Sequence, residues 1–171
     1  MQNFFMSLIP ITEKEIEKFV EAARLSERKR IIFNYHTYSE DTMQRMINAI
    51  EPGSYVQPHK HENPDKSEVF LILKGKLAVV IYDSLGEIED CIMLDREKGN
   101  FGVEVPPCTW HSIIAFESGT VVYEVKHGPY DPATDKVFAP WAPAENHPQA
   151  NEYLLHTLKK LNRFAGKNSK I

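Results

Sequence analysis

Cysteine is scarce in this chain: Cys91 and Cys108 are the only two among 171 residues. So few thiols exclude a disulfide framework as the main support of the fold, and a reducing cytoplasmic setting is the default expectation. No run approaches the ~18 consecutive apolar residues of a membrane span. Met1 to Ile11 is partly apolar but has none of the basic n-region of a secretory leader, the first Lys or Arg being Lys14, and no small-residue cleavage site follows. An excess of positive charge is missing as well. Lys and Arg number 20 against 24 Asp and Glu, a formal net charge of −4 with a pI near 6.0, which gives no general attraction to nucleic acid or anionic membrane. Internal repeats and low-complexity segments are also lacking. Small molecules and protein are the partners left. At 42% apolar the chain suits a single domain, residues 1–171, with a sizeable core.

What the chain does have is a stretch from Gly53 to Gly75 that reads as half of a metal site laid across two strands. Residues two apart on a strand project to one face, so His59 and His61 aim two imidazoles at one point while Lys60 faces away. Glu68 opens the next apolar run, Val69 to Leu73, where its carboxylate can meet both histidines. A fourth group lies far downstream, where the proline turn Val105-Pro106-Pro107-Cys108-Thr109 leads into Trp110-His111-Ser112-Ile113. Three imidazoles and a carboxylate make a borderline donor set suited to one divalent transition metal, iron, manganese, nickel or zinc. A lone histidine is usually a core or surface residue, but this spacing forms a constellation.

Periodicity supplies the frame. Thr12 followed by Glu15 is a capping box, and Ile16, Phe19, Val20 and Ala23 recur at helical spacing, predicting a helix from Thr12 to about Arg28. The basic run Ser26 to Arg30 reads as its solvated end. Ile31 to Tyr35 is a short strand, and Met43 to Ile50 alternates as a strand with Gln44, Met46, Asn48 and Ile50 on one side. Short punctuated runs follow: Tyr55 to His61, Glu68 to Leu73, Leu77 to Tyr82, Glu87 to Leu94, Gly102 to Pro106, His111 to Phe116 and Thr120 to Lys126. Such a series argues for a β-sandwich or barrel. After Gly128 the prolines 129, 132, 140, 143 and 148 predict an extended strap, whose Tyr130, Phe138 and Trp141 need a surface to lie on. Ala150 to Phe164 regains helical spacing, and Gly166 to Lys170 reads as a frayed tail.

The two histidine blocks resemble the paired motifs of the cupin superfamily, G-x5-H-x-H-x3,4-E-x6-G and G-x5-P-x-G-x2-H-x3-N. Six residues, Glu62 to Ser67, separate His61 from Glu68 where the first motif has three or four. In the second block Pro106 and His111 match, while Cys108 stands at the glycine, Asn100 at the first glycine and Ala115 at the asparagine. The chain is similar, more specifically, to the WbuC family of cupin-fold metalloproteins, in Asn34-Tyr35-His36, Gln44-Arg45-Met46, Asn48-Ala49, Pro58-His59-Lys60-His61, Glu124 to Tyr130 and Phe138 to Pro143. The resemblance implies a mainly β fold, a double-stranded β-helix (jelly-roll) barrel over residues 31–127, with an N-terminal helical extension over 1–30 and the strap and C-terminal helix over 128–171. It also implies a homodimer and an association with bacterial surface-polysaccharide biosynthesis.

Other polar residues fall on the predicted strands or, for Tyr130, at the start of the strap. Arg45, Asn48, Gln57, Glu124, Lys126 and Tyr130 need a partner or a ligand, since a barrel interior takes charge only when it is paired or used. Glu124 and Lys126 share one face and are the expected proton-moving pair, against an equally plain reading as a surface ion pair. His36, His127, His147 and His156 read as structural or exposed, and Cys108 as a turn residue. If Glu68 points inward, Val69, Leu71 and Leu73 point out, and that apolar row needs a helix or a second subunit over it. Three functions fit: a metal-dependent enzyme on a sugar or sugar-nucleotide, an iron-dependent oxygenase, or a module that holds metal and small ligand without chemistry.

Overall fold

The computed structural model describes residues 8–165. The expected tail at Gly166 to Lys170, and most of the Met1 to Ile11 stretch, lie outside them. The capping box forms as read, Thr12 accepting from the Glu15 amide, and starts α1 (Glu13–Leu25), which stops at an extended Ser26. Ten strands follow: β1 (Arg30–Asn34), β2 (Met43–Ile50), β3 (His59–Lys60), β4 (Glu68–Lys74), β5 (Lys76–Tyr82), β6 (Ile88–Asp95), β7 (Gly102–Val105), β8 (Trp110–Ala115), β9 (Thr120–His127) and β10 (Val137–Phe138). The chain then enters α2 (Ala150–Ala165). They form two five-stranded antiparallel sheets, ordered β1-β2-β9-β4-β7 and β10-β3-β8-β5-β6, facing each other as a jelly roll.

Strand parity and register give the interior a gradient of polarity. Ile50, Ile72, Val122, Leu77, Val79, Ile113 and Ala115 fill one end as a single apolar cluster. Along the same inward faces, register sets Phe70 beside Glu124 and Met46, and then Glu68 beside Lys126 and Gln44. One end of the barrel is therefore closed by packing, worth roughly 1.5–3 kcal/mol per buried large aliphatic side chain. The other end is lined with polar groups.

Both outer faces carry a helix. On one sheet α1 sets Ile16, Val20 and Ala23 against Ile47, Ala49 and Val121. On the other, Leu154 and Leu161 of α2 pack with Tyr55, Ala78, Val80 and Ile114. The outward row of β4 is covered only in part: Leu73 reaches the α1 cluster, while Leu71 stays 43% exposed.

Two segments differ from the sequence expectation. The run Tyr55 to His61 is strand only at His59–Lys60, because before it the chain bonds to the strap. Ala139 N–H donates to Pro58 O at 2.9 Å, and the Tyr55 hydroxyl donates to Pro143 O at 2.8 Å. The strap is extended as expected, yet it also adds β10 to a sheet edge, pairing Val137 with Lys60 and Phe138 with His59. The basic run is not a solvated helix end throughout. Arg30 is buried, donating to Ser54 Oγ at 3.0 Å and Tyr55 O at 2.9 Å, and it shares Glu145 with Arg28.

Candidate metal centre

Register brings the distant histidine to the near pair: β3 and β8 are neighbours, with His59 directly opposite His111. His61 follows β3, its carbonyl accepting from the Cys108 amide at 3.0 Å, so the proline turn before β8 is tied to the histidine pair. Glu68 begins β4 in the facing sheet and points across the barrel. Among the described residues these four form the one cluster able to hold a metal ion, with ligand atoms all within 4.8 Å of one another and all four side chains buried. Metal–ligand bonds of about 2.0–2.2 Å put two ligands of one ion at most ~4.4 Å apart, so side-chain shifts of a few tenths of an ångström bring all four into range.

Each imidazole is oriented by a backbone carbonyl. His59 Nδ1 meets Gln57 O at 2.9 Å, His111 Nδ1 meets Thr109 O at 2.9 Å, and His61 Nδ1 meets the carbonyl of Asp135. A carbonyl oxygen only accepts, so each Nδ1 carries the proton and each Nε2 presents a lone pair. These lone pairs converge on an anion: Glu68 Oε1 lies 2.5 Å from His111 Nε2 and 3.3 Å from His61 Nε2. The same three atoms are buried without a hydrogen-bond partner. A proton on His111 would serve one contact and leave His61 stranded, whereas one divalent cation serves them all. The donor set fits a metal.

Charge in the site follows the same arrangement. Burial, then the charge of Lys136, then His111, holds His59 well below the usual histidine range, so it is neutral and free to ligate. Burial alone would raise Glu68, but the adjoining imidazoles, His111 first and then His61, outweigh it and hold the carboxyl well below the usual carboxylate range. A cavity of about 580 Å³ opens from the cluster, and His59, Glu68, His111, Glu124, Lys126, Asn48 and Gln57 are among its walls.

Glu124 and Lys126 are both in that cavity and are not an ion pair with each other. Glu124 accepts from Asn48 Nδ2 at 2.6 Å, and burial followed by repulsion from Glu68 pushes its carboxyl up to about 7. Lys126 donates to Asp135 Oδ2 at 2.7 Å; burial opposes its charge, but Glu124 and Asp135 overcome that and raise it. Lys126 thus keeps its proton, and of the two expected proton carriers only Glu124 is poised near neutrality. Arg45, by contrast, is on the other face of β2 from the cavity, while Tyr130 and Phe138 stand at the cavity rather than along the outer barrel. Trp141 does lie on the outside, against Tyr82 and Trp110.

Sequence reasoning missed Asp135 and Lys66. Asp135 offers its carbonyl to His61 while its carboxylate is held by Lys126 and by Lys66, the latter at 2.9 Å. Lys66, 2% exposed, also donates to Pro129 O at 2.5 Å. The long spacer between His61 and Glu68 therefore has a use: it carries a buried lysine to the strap. The only hint in the sequence was that extra length. Cys108 occupies a left-handed turn position, φ 60°, with its thiol on Asp65, which raises the thiol pKa and leaves it unactivated.

The known proteins agree at the level of fold. A domain of unknown function (DUF6016) matches residues 11–94, a little under half of the chain, including His59, His61 and Glu68. No curated protein sequence matches. Among solved structures, an RmlC-like cupin protein from Desulfovibrio desulfuricans superposes with a TM-score of 0.50 at 16% identity, over 71% of this chain and 96% of that one. The capsular polysaccharide assembling protein CapF from Staphylococcus aureus gives 0.50 at 21% identity, over 63% of this chain and 28% of its own. The DMSP lyase DddQ from Ruegeria pomeroyi gives 0.50 at 15% identity, over 67% and 54%. This chain spans less than a third of CapF and about half of DddQ. It has the cupin fold, a double-stranded β-helix barrel flanked by two helices, with a buried three-histidine, one-glutamate cluster that can hold a metal.

Proposed function

We propose that the chain is a metal-dependent enzyme that moves a proton on an oxygen-rich small molecule, in the manner of an isomerase or epimerase. The observation that carries the reading is the pairing, in one cavity, of the converging lone pairs of His59, His61, His111 and Glu68 with a carboxyl of near-neutral pKa, Glu124. A divalent ion held by the four residues would supply Lewis acidity to a carbonyl or hydroxyl oxygen of the ligand. Glu124 takes a proton from the carbon next to that oxygen and returns it to the neighbouring carbon in an isomerisation; in an epimerisation it passes that proton to solvent, and a solvent proton adds to the opposite face. Lys126, fixed on Asp135, stays charged and offsets negative charge that develops on the ligand. Asn48 orients Glu124 through its 2.6 Å hydrogen bond.

A sugar or sugar-nucleotide of surface-polysaccharide synthesis is the substrate class favoured by the WbuC-like blocks and by the fold shared with a capsular polysaccharide assembling protein. The test is solvent deuterium uptake at carbon, followed by NMR over a panel of sugars and sugar-nucleotides with metal-loaded protein. Uptake that disappears in Glu124→Gln while the metal stays supports the enzyme. Oxygen consumption by the iron form would move the assignment to an oxygenase, and binding without exchange to a ligand-holding module.

A further inference from the structure

Lys136 is a charge that the proton-transfer reading leaves unused. It sits between two pinned points of the strap. Asp135 before it is gripped by Lys66, Lys126 and His61, and Val137 and Phe138 after it pair with Lys60 and His59. Two residues apart on an extended chain, Lys136 and Phe138 share a face. That face is the cavity side, since the Phe138 ring lies 6.2 Å from the His59 ring and both residues line the cavity. The other cavity cations are engaged, Lys126 by Asp135 and Arg28 and Arg30 by Glu145, whereas Lys136 makes no ion pair among the described residues.

We propose that Lys136 is the anion-reading group of this cavity, and that the ligand is a polyhydroxylated carboxylate. Its carboxylate pairs with Lys136 while a hydroxyl or carbonyl oxygen turns towards the histidine cluster. The proposal rests on the metal-centre reading above and narrows its substrate class. One free ammonium matches a monoanion. A diphosphate would bring further negative charge against Glu68 and Glu124 in the same cavity, where, among the described residues, the other lining Lys and Arg side chains each already make an ion pair. Hydroxyl groups find acceptors, because Asn48 and Gln57 each spend an amide donor on the protein and leave their amide oxygens without a protein donor among the described residues. Burial by the cavity walls, then repulsion from Lys126, lowers the Lys136 pKa, a strain that a bound carboxylate relieves; solvent reaches much of the residue and softens it.

The experiment is calorimetric titration of zinc-loaded full-length protein with gluconate, sorbitol and sorbitol 6-phosphate, which share a carbon chain and differ in the terminal group. Gluconate is expected to bind, and Lys136→Gln to weaken it roughly tenfold or more with zinc stoichiometry unchanged. Lys136→Arg should keep the preference for gluconate over sorbitol. Equal binding of gluconate and sorbitol, a Lys136→Gln variant that binds gluconate like wild type, no binding of any probe, or a Lys136-dependent preference for the phosphate each overturns the carboxylate assignment while zinc binding still stands. Failure of wild type to take up zinc in the loading step overturns the metal reading as well.

Discussion

Glu124 is the side chain whose behaviour depends most on its surroundings. Its carboxyl is raised to about 7 from an unfolded value near 4.5, so its neutral form is favoured by the fold. Stability from that source is full below about pH 4.5 and is lost as pH rises through about 7. Metal-free Glu124→Gln should accordingly gain on wild type across pH 4.5–7, by up to about 3 kcal/mol in denaturant unfolding, and the gain should shrink on metal loading because a nearby cation favours the carboxylate. A pH-independent difference would remove Glu124 as the proton carrier. Cys108 makes the opposite case, a reactive residue type without a reactive setting. With φ at 60°, Cys108→Gly should be neutral or stabilising by about 1 kcal/mol, with metal content unchanged.

The strap is the element that completes the site. Asp135 links three buried groups, so Asp135→Asn leaves Lys66 and Lys126 charged and unpaired while the carbonyl that holds His61 remains. The expected cost is about 3–5 kcal/mol in unfolding free energy, with metal affinity falling roughly 10–100-fold because the strap that carries the His61-orienting carbonyl is no longer pinned by the two lysines. Lys66→Met in the same chain should restore part of the stability. An Asp135→Asn protein as stable and as tight for metal as wild type would make the strap incidental. The sequence showed the histidines because parity and short spacing are local properties. It did not show Asp135, because a backbone carbonyl leaves no mark in residue type and its lysine partners come from two other segments. Arg30 was misread for the same reason: its partner Glu145 lies 115 residues away, on the strap.

At the scale of the molecule, short apolar runs punctuated by turns gave the barrel strands, and alternation marked only Met43 to Ile50; β5 could not alternate, because Leu77 to Val80 are buried on both faces. Tyr55 to Pro58 was misread because those residues alternate like a strand yet bond to the strap. The apolar outer row of β4 is expected to need cover, and within the chain α1 provides it only for Leu73. Leu71 lies opposite Gly102, whose missing Cβ leaves it room, and both Leu71 and the preceding Phe101 remain exposed. We propose a second copy of the chain as their cover, and sedimentation at micromolar concentration should give a dimer of the 19.7 kDa chain that Leu71→Lys dissociates. A wild-type monomer would reject it. The four-residue cluster organises the whole cavity, and its decisive measurement is metal uptake by chelator-stripped protein. Wild type is predicted to take up close to one divalent ion per chain, and His59→Ala, His61→Ala and His111→Ala each to lose most of it while remaining folded. Equal uptake by wild type and all three variants would contradict the account.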